Sequence, residues 1–268
     1  MKKMTPFLLA TQRKGRRAAK RWLPTTLLVA CMIGAWQLAA TTGAIAGALH
    51  LEPFLVPSPS AIATSLWDSR SLLAENGWVT LQEVLLGFAC GLAAGLAFAV
   101  VLHLSKTLRQ AFYPLMVASQ TVPIPVIAPI LLVWLGFGIG PKLAIVALIC
   151  FFPIAVNVLD GLRSVDPETT KMMRTLDASR WQIFRRVEAP TALPHLFTGA
   201  KIAVAIAVIG AVFGEWSGAD SGLGFLILQD IGLLETARAF ASVALLSAIA
   251  MALFGFLALA ERRIVTWR

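Results

Sequence analysis

The stretch MMRTLDASRWQIFRRVEAPTALP, Met172 to Pro194, is the longest part of this chain that looks soluble, and strongly apolar segments lie on both sides of it. Hydrophobic residues make up 58% of the 268 residues, and the mean hydropathy is +0.78. A soluble domain of this size cannot bury so much apolar surface. The sequence therefore predicts an all-α integral membrane protein with one soluble interruption.

Six segments are long enough to cross a bilayer as helices, which takes about 20 mostly apolar residues. The fifth is the least regular, because its charge-free run from Ile202 to Gly214 is short. It reaches full length only if Lys201 and Glu215 lie near the two membrane faces. The predicted spans are Leu23 to Thr42, Val84 to Leu102, Leu115 to Phe137, Leu143 to Leu159, Phe197 to Trp216 and Ala239 to Ala260.

The basic residues predict the direction of these spans. With the N-terminus inside, all but Arg70, Lys142 and Arg238 of the 23 lysines and arginines lie on the inner side, as cytoplasmic loops require. This clustering accounts for the net charge of +9, so no nucleic-acid partner is predicted. We expect a multi-pass membrane protein with both termini in the cytoplasm. The longest cytoplasmic loop is then Asp160 to Leu196.

Two short helices are predicted within this loop. Asp166 followed by Pro167 is typical of a helix start, and this helix should run through Leu176. Asp177 suits the turn that follows.

Ser179 can cap the second short helix, in which Trp181, Phe184 and Val187 recur at helical spacing before Pro190 ends it. Isolated helices of this length are marginal in water, so something must pack on it. Its apolar face and its basic face suit either the membrane surface or the groove of a soluble partner.

The spacing resembles the cytoplasmic coupling loop of ABC importer permeases, whose signature is Glu-Ala-Ala, three residues, Gly, nine residues, then Ile-x-Leu-Pro. Lys171-Met172-Met173 occupies the first triplet, Asp177 the glycine and Val187-Glu188-Ala189-Pro190 the end. Lys171 reverses the charge of the glutamate, so either the partner ATPase carries a matching change or coupling is weaker. FFPIAVNVLDGLRSVDPE, PTALPHLFTGAKIA and GEWSGADSGLGFLI also resemble permeases for nitrate, sulfonates, taurine and thiamine pyrimidine precursors. The resemblance covers roughly Pro57 to Glu261.

The resemblance implies a type I ABC importer (MetI-like) permease fold in the bacterial cytoplasmic (inner) membrane. It divides the chain into a basic tail at 1–21, the first span and an outer segment at 22–76, a permease core at 77–262 and a C-terminal tail at 263–268. The implied partners are two cytoplasmic ATPase subunits, an extracytoplasmic solute-binding protein, membrane lipid and a second copy of this chain. The residues implied to form the ATPase-coupling loop are Arg174, Leu176, Asp177, Ala178, Ser179, Arg180, Trp181, Phe184 and Pro190.

The same resemblance assigns ATP and Mg to the partner ATPase, so this chain is expected to be a transport subunit without catalytic residues, cofactor or metal. The sequence agrees, because it lacks a phosphate-binding GxxxxGK[ST] loop. The small polar solute is expected to be a thiamine pyrimidine precursor, with sulfonate, taurine or nitrate as alternatives.

The third span contains Pro123, Pro125 and Pro129, which delete helical hydrogen bonds. The freed carbonyl groups need protein or water as partners, so this helix either kinks for packing alone or lines a translocation path together with Gln120 and Thr121.

Glu215 and Trp216 end the fifth span. We expect a hydrated position at the outer mouth, where Trp216 is a belt residue, with a position facing the path as the alternative. Glu83 is expected to be hydrated near the outer end of the second span. The segment SGADSGLGFLILQDIG, with Gly222 and Gly224, is predicted to be re-entrant or to lie on the outer face, and the resemblance implies that it helps to close an outer gate.

Gly87, Gly91 and Gly95 recur every four residues in the second span and predict close helix packing.

Two rival functions are disfavoured. A secondary transporter or channel should carry ionisable residues paired at mid-membrane and internal repeats, and the sequence displays neither. A membrane enzyme needs a cluster of catalytic or metal-binding side chains, whereas Cys31, Cys90 and Cys150 are scattered, as are the histidines.

Overall fold

The computed structural model describes the backbone of residues 6–267 and the side chains of residues 23–267 other than Pro125. Every regular element in that range is helical, which confirms the predicted all-α class. In chain order these are α1 Pro6–Thr41, α2 Ala44–Leu49, a 3-10 turn Pro53–Leu55, α3 Pro59–Asp68, α4 Arg70–Leu104, α5 Lys106–Ser119, α6 Ile124–Leu135, α7 Ile139–Arg163, α8 Pro167–Thr175, α9 Arg180–Ile183, a π-helical turn Phe184–Glu188, α10 Ala189–Trp216, α11 Leu223–Gly232 and α12 Thr236–Ile264.

Five helical segments of the described chain are long and apolar enough to cross a membrane, and they match five of the six predicted spans. Several begin earlier than predicted, since α4 already starts at Arg70. The domain boundary predicted at residue 76 falls inside α4 and stays a prediction. The five segments are Leu23–Thr41, Arg70–Leu104, Ile139–Arg163, Arg180–Trp216 and Thr236–Ile264.

The third predicted span, Leu115 to Phe137, is not one helix, so that prediction is wrong. α5 ends at Ser119 and α6 begins at Ile124. Pro123 lies between them in an extended conformation, with φ −68° and ψ 121°. Proline cannot donate the helical hydrogen bond and also disfavours helical geometry in the residue before it. The two short helices therefore meet at a break.

α5 and α6 nevertheless return the chain from the end of α4 to the opposite end of the bundle, where α7 begins. This return is needed because α4 and α7 run parallel. A Cβ on Gly87 would come within 2.5 Å of Val146, and one on Gly91 within 2.7 Å of Cys150. Residue numbers rise together along this contact, so both helices point the same way. Only α5 and α6 lie between them in sequence. The chain thus crosses six times, and the close packing predicted for the glycine row is confirmed.

α10 runs antiparallel to α7 along the centre of the fold. Gly199 lies against the carbonyl group of Pro153, and Gly214 near the other end lies against Lys142. The buried core is built mainly from α4, α7 and α10, where Val84, Val146, Cys150, Ile154, Ala203 and Ala207 are fully buried.

The connection between α7 and α10, residues 164–188, forms a hairpin at one end of these helices. We call this end the hairpin side and the opposite end the far side. Lys201 Nζ, in the first half of α10, lies 2.7 Å from Glu261 Oε2, near the end of α12, so α12 runs antiparallel to α10 and its C-terminal end points toward the hairpin side. The segment from α2 to α3 packs on the far side, where the hydroxyl group of Thr236 donates to the carbonyl oxygen of Phe54.

α1 lies at the edge of this bundle. Gln37 Nε2 donates to Ser60 Oγ at 2.9 Å, and Gln37 Oε1 accepts from the amide of Ser60 at 3.0 Å, which ties α1 to α3. Most side chains of Leu23–Thr41 are exposed in the single chain, as an apolar helix facing lipid or another protein would be.

Candidate functional site

The first helix of the hairpin begins as its sequence predicts. The carboxylate of Asp166 accepts a hydrogen bond from the amide of Glu168 at 2.9 Å, and Pro167 is the first helical residue. This N-cap satisfies one of the amides that a helix start leaves free. α8 then ends at Thr175, next to the predicted end at Leu176.

Asp177 makes the turn between the two short helices in the left-handed region, with φ +55°. The amide of Asp177 donates to the carbonyl group of Arg174 at 3.1 Å, and that of Ala178 to Met173 at 3.0 Å. Asp tolerates this conformation better than most residues that have a Cβ. The predicted turn is therefore confirmed.

A complete capping box starts the second helix. Ser179 Oγ accepts from the amide of Gln182 at 3.3 Å, and Gln182 Oε1 accepts from the amide of Ser179 at 2.7 Å. The predicted cap at Ser179 is confirmed, and the reciprocal bond to Gln182 was not anticipated.

Pro190 does not end this helix, so that prediction is wrong. α9 continues through the π-helical turn Phe184–Glu188 into α10, which begins at Ala189. Proline is tolerated in the first turn of a helix, and the wider π turn is closed by the amide of Ala189 donating to the carbonyl group of Phe184. The hairpin is thus continuous with a membrane helix.

The tip of the hairpin presents large apolar side chains to solvent. Leu176 is 72% exposed and Trp181 66% exposed. The Trp181 ring stacks on Phe184 with 5.6 Å between centroids. The exposed cations Arg174, Arg180, Arg185 and Arg186 surround them. Exposed apolar groups of this size beside cations are typical of a protein docking surface.

One contact ties the hairpin to the bundle from the α4 side. His103 Nε2 lies 2.8 Å from Glu188 Oε2, and its ring centroid lies 6.4 Å from that of Phe184. No local sequence pattern predicts this pair, since the two residues are 85 positions apart.

On the far side, side chains of two other helices bind all of the first amides of α11. The amide of Gly222 donates to Asn76 Oδ1 at 2.8 Å, and that of Leu223 to Thr80 Oγ1 at 2.8 Å. The next two amides, of Gly224 and Phe225, both donate to Glu215 Oε2. α4 and α10 therefore cap α11 completely.

Glu215 is 1% exposed, so the expected hydrated position is wrong. Its carboxylate also accepts from Thr80 Oγ1 at 2.6 Å. α11 folds back over the end of α10 and removes the carboxylate from water. Trp216 stays 42% exposed, and its indole nitrogen donates to the carbonyl group of Gly224 at 3.0 Å.

The two glycines of this segment make room for the carboxylate. Gly222 has φ +115°, and a Cβ there would overlap the carboxyl group of Glu215. A Cβ on Gly224 would lie 2.7 Å from Glu215 Oε2 and 3.0 Å from the Cα atom of Val212. The segment predicted to be re-entrant or on the outer face contains the short helix α11. Its placement relative to the membrane and its part in a gate stay predictions.

Glu83 is also buried, at 1% exposure, so its predicted hydration is wrong as well. Its Oε1 atom lies 2.7 Å from Nζ of Lys142, which is itself only 8% exposed. Since burying one of these charges alone would be costly, each depends on the other. The pair lies near the start of α7, close to the far side rather than at mid-membrane.

Gln120, Thr121 and Pro123 lie at the break between α5 and α6 with exposed side chains, while the Pro125 side chain lies outside the described atoms. Thr121 Oγ1 donates to the carbonyl group of Ala118 at 2.8 Å. The structure brings Glu215, Trp216, Gly222 and Gly224 together in one cluster. A role for the break in a translocation path stays a prediction.

Known proteins resemble the chain over most of its length. The family model for the binding-protein-dependent transport system inner membrane component matches residues 88–266. The formylaminopyrimidine transport permease protein ThiX of Halalkalibacterium halodurans is 34% identical over 92% of this chain and 96% of its own. The riboflavin transport system permease protein RibX of Chloroflexus aurantiacus is 36% identical over 91% and 89%.

A solved structure agrees on the fold. A chain of the MetNI methionine ABC transporter, in an inward-facing conformation, superposes with a TM-score of 0.60 at 23% identity. The match covers 74% of this chain and 97% of that one, and at this identity it bears on the fold alone. The permease fold implied by the resemblance is thereby confirmed.

Proposed function

The chain belongs to the family of binding-protein-dependent transport system inner membrane components, and from this premise we propose how it works as the permease of an ATP-driven ABC importer. Two copies of the chain form one translocation path. Two ATPase subunits bind the hairpins, and an extracytoplasmic solute-binding protein delivers the solute to the far side. The hairpin side is cytoplasmic, in accordance with its arginines.

The hairpin is the observation that carries this proposal. Both of its short helices are capped, its tip exposes Trp181 and Leu176, and it continues without interruption into α10. A surface that is pulled by a partner must be rigid enough to transmit force and must be joined to the element that moves. This hairpin meets both conditions.

The solute is a small polar nitrogen heterocycle, with a thiamine pyrimidine precursor as the first candidate. Support comes from ThiX, a formylaminopyrimidine permease, and from RibX, a riboflavin permease, since formylaminopyrimidine and riboflavin both contain nitrogen heterocycles. Sulfonate, taurine or nitrate is the alternative. ATP and Mg are bound by the partner ATPase, and this chain binds no cofactor.

Reconstituted uptake tests the proposal. Proteoliposomes that contain the chain, its ATPase and its binding protein should accumulate formylaminopyrimidine only when ATP is supplied. Solute uptake by the chain without a nucleotide-hydrolysing partner would overturn the importer assignment. Tight binding of taurine, an alkanesulfonate or nitrate by the binding protein, with no binding of formylaminopyrimidine, would replace the solute but keep the mechanism.

Trp181→Ala should uncouple hydrolysis from uptake, because it removes the largest exposed apolar group of the tip. We expect uptake per ATP to fall about tenfold, the usual effect of losing an interface hot spot. Trp267→Ala is the matched control, since Trp267 is 56% exposed on the hairpin side but lies outside the hairpin. Equal coupling in the two variants would show that the tip is not the ATPase contact.

A further inference from the structure

The π-helical turn Phe184–Glu188 joins the hairpin to α10 and is fastened to α4 at its last residue. There Glu188 Oε2 lies 2.8 Å from His103 Nε2. We propose that this bond is the pivot of a hinge through which movement of the hairpin reaches α4 and α10, with His103 and Glu188 as positioning residues. The proposal rests on the proposed function, because it supplies the step between the ATPase and the membrane helices.

The backbone is loosened at this turn. π-helical turns are rare and are found frequently at functional sites. Pro190 follows at once and has no amide to donate to the carbonyl group of Arg186, four residues earlier. The π turn and Pro190 both weaken the helix, and they fall within one turn of each other. The capped hairpin lies before them and the buried part of α10 follows.

The pivot itself is held firmly. The side chain of His103 is 11% exposed and that of Glu188 19%, so water weakens their interaction less than it would at the surface. Within the described chain, His103 Nδ1 is buried without a hydrogen-bond partner. The bond to Glu188 is therefore the polar contact that orients the ring.

Phe184 has room to move beside this pivot. A partly open pocket of about 160 Å³ lies beside it, lined also by Val100, Ala192 and Leu196. A second partly open pocket, of about 280 Å³, is lined by Phe184 together with Val100, Leu104 and Trp181. The side chain of Phe184 is therefore not enclosed on all sides. The ring of Phe184 can shift from one space toward the other while Glu188 stays in place.

The ratio of solute uptake to ATP hydrolysis measures the hinge in proteoliposomes that contain the full transporter. His103→Ala and Glu188→Ala should each lower this ratio about tenfold, the factor typical of losing a hydrogen bond to a charged group. The double variant should be no worse than either single variant, because both remove the same bond. His103→Gln keeps a donor and should keep most of the coupling.

Lys201→Ala is the matched control. It removes the ion pair between Lys201 of α10 and Glu261, whose 2.7 Å length is close to the 2.8 Å of the His103–Glu188 bond. The two side chains are 21% and 15% exposed, and the pair does not touch the π turn. Coupling in this variant should be unchanged. Val100→Phe places a larger side chain where the two spaces beside Phe184 share a wall, and it should lower the ratio without lowering the melting temperature.

The outcomes separate the two proposals. Suppose that the wild-type transporter is coupled and that His103→Ala, Glu188→Ala and Val100→Phe each show the same uptake-to-hydrolysis ratio as Lys201→Ala. This result would overturn the hinge and leave the proposed function intact. Additive losses in the double variant would also overturn it, since the two residues would then act independently. Absence of ATP-dependent uptake by the wild-type transporter would overturn the proposed function and the hinge with it.

Discussion

Glu215 binds three donors from two other helices, the hydroxyl group of Thr80 and the amides of Gly224 and Phe225. A carboxylate is stable at 1% exposure only when such donors replace water. The start of a helix is well suited to this, because its free amides carry partial positive charge. The two glycines then let the backbone of α11 approach the carboxylate.

Removing Glu215 should destabilise the far side. Glu215→Ala leaves the amides of Gly224 and Phe225 without an acceptor, and each unsatisfied buried group costs about 1–3 kcal/mol. We expect the free energy of unfolding to fall by about 4 kcal/mol, and by less in Glu215→Gln, whose amide oxygen still accepts. Thermal unfolding in detergent measures this. Glu75→Ala on the exposed face of α4 is the control, and equal melting temperatures would contradict the capping role.

The pairing of α4 with α7 depends on the row of small residues at Gly87, Gly91 and Gly95. Within lipid, apolar side chains gain little by leaving their surroundings, so helix pairs rely on close van der Waals packing. This contact holds two helices parallel and thereby obliges α5 and α6 to return the chain. The broken third span is a consequence of helix pairing and of Pro123 together.

Gly91→Ala should separate these helices. Its Cβ would lie 2.7 Å from the Cβ of Cys150 and 2.8 Å from the carbonyl oxygen of Ala147. We expect the free energy of unfolding to fall by about 1–3 kcal/mol, the usual cost of overpacking. Gly255→Ala in α12 meets nothing within 4 Å and should be neutral or slightly stabilising, because Ala favours helix. If both variants melt alike, the row does not set the helix distance.

At the scale of the whole molecule, the hairpin, the end of α12 and the start of α10 share one side, while α11 and its capping residues lie on the other. An importer needs such a division, with ATPase contacts at one end and a closure at the other. In the proposed orientation, the arginines of the hairpin face the cytoplasm.

Thiol labelling in intact spheroplasts tests this orientation. In a chain with Cys31, Cys90 and Cys150 replaced, Asp220→Cys should react with a membrane-impermeant maleimide from outside. Asp177→Cys should react only after the membrane is permeabilised, because both side chains are exposed but lie on opposite sides. The reverse pattern would overturn the assigned orientation.

Local sequence alone determined the helical class, five spans, the caps at Asp166 and Ser179 and the turn at Asp177. Each of these depends on partners within a few residues or on the hydropathy of a continuous segment. Local sequence did not predict the effects of two prolines correctly, because the effect of a proline depends on how the backbone around it folds. Pro123 broke a span that looked continuous, and Pro190 was absorbed by a π turn instead of ending a helix.

Only the tertiary structure decided whether the ionisable groups within the spans are buried and which residues they contact. Glu83 meets Lys142 across 59 residues, His103 meets Glu188 across 85, and Glu215 meets Thr80 across 135. Hydropathy assigns an isolated carboxylate to the membrane surface, because burying a charge alone is costly. Folding supplies donors from distant helices, and those donors make burial at these positions stable.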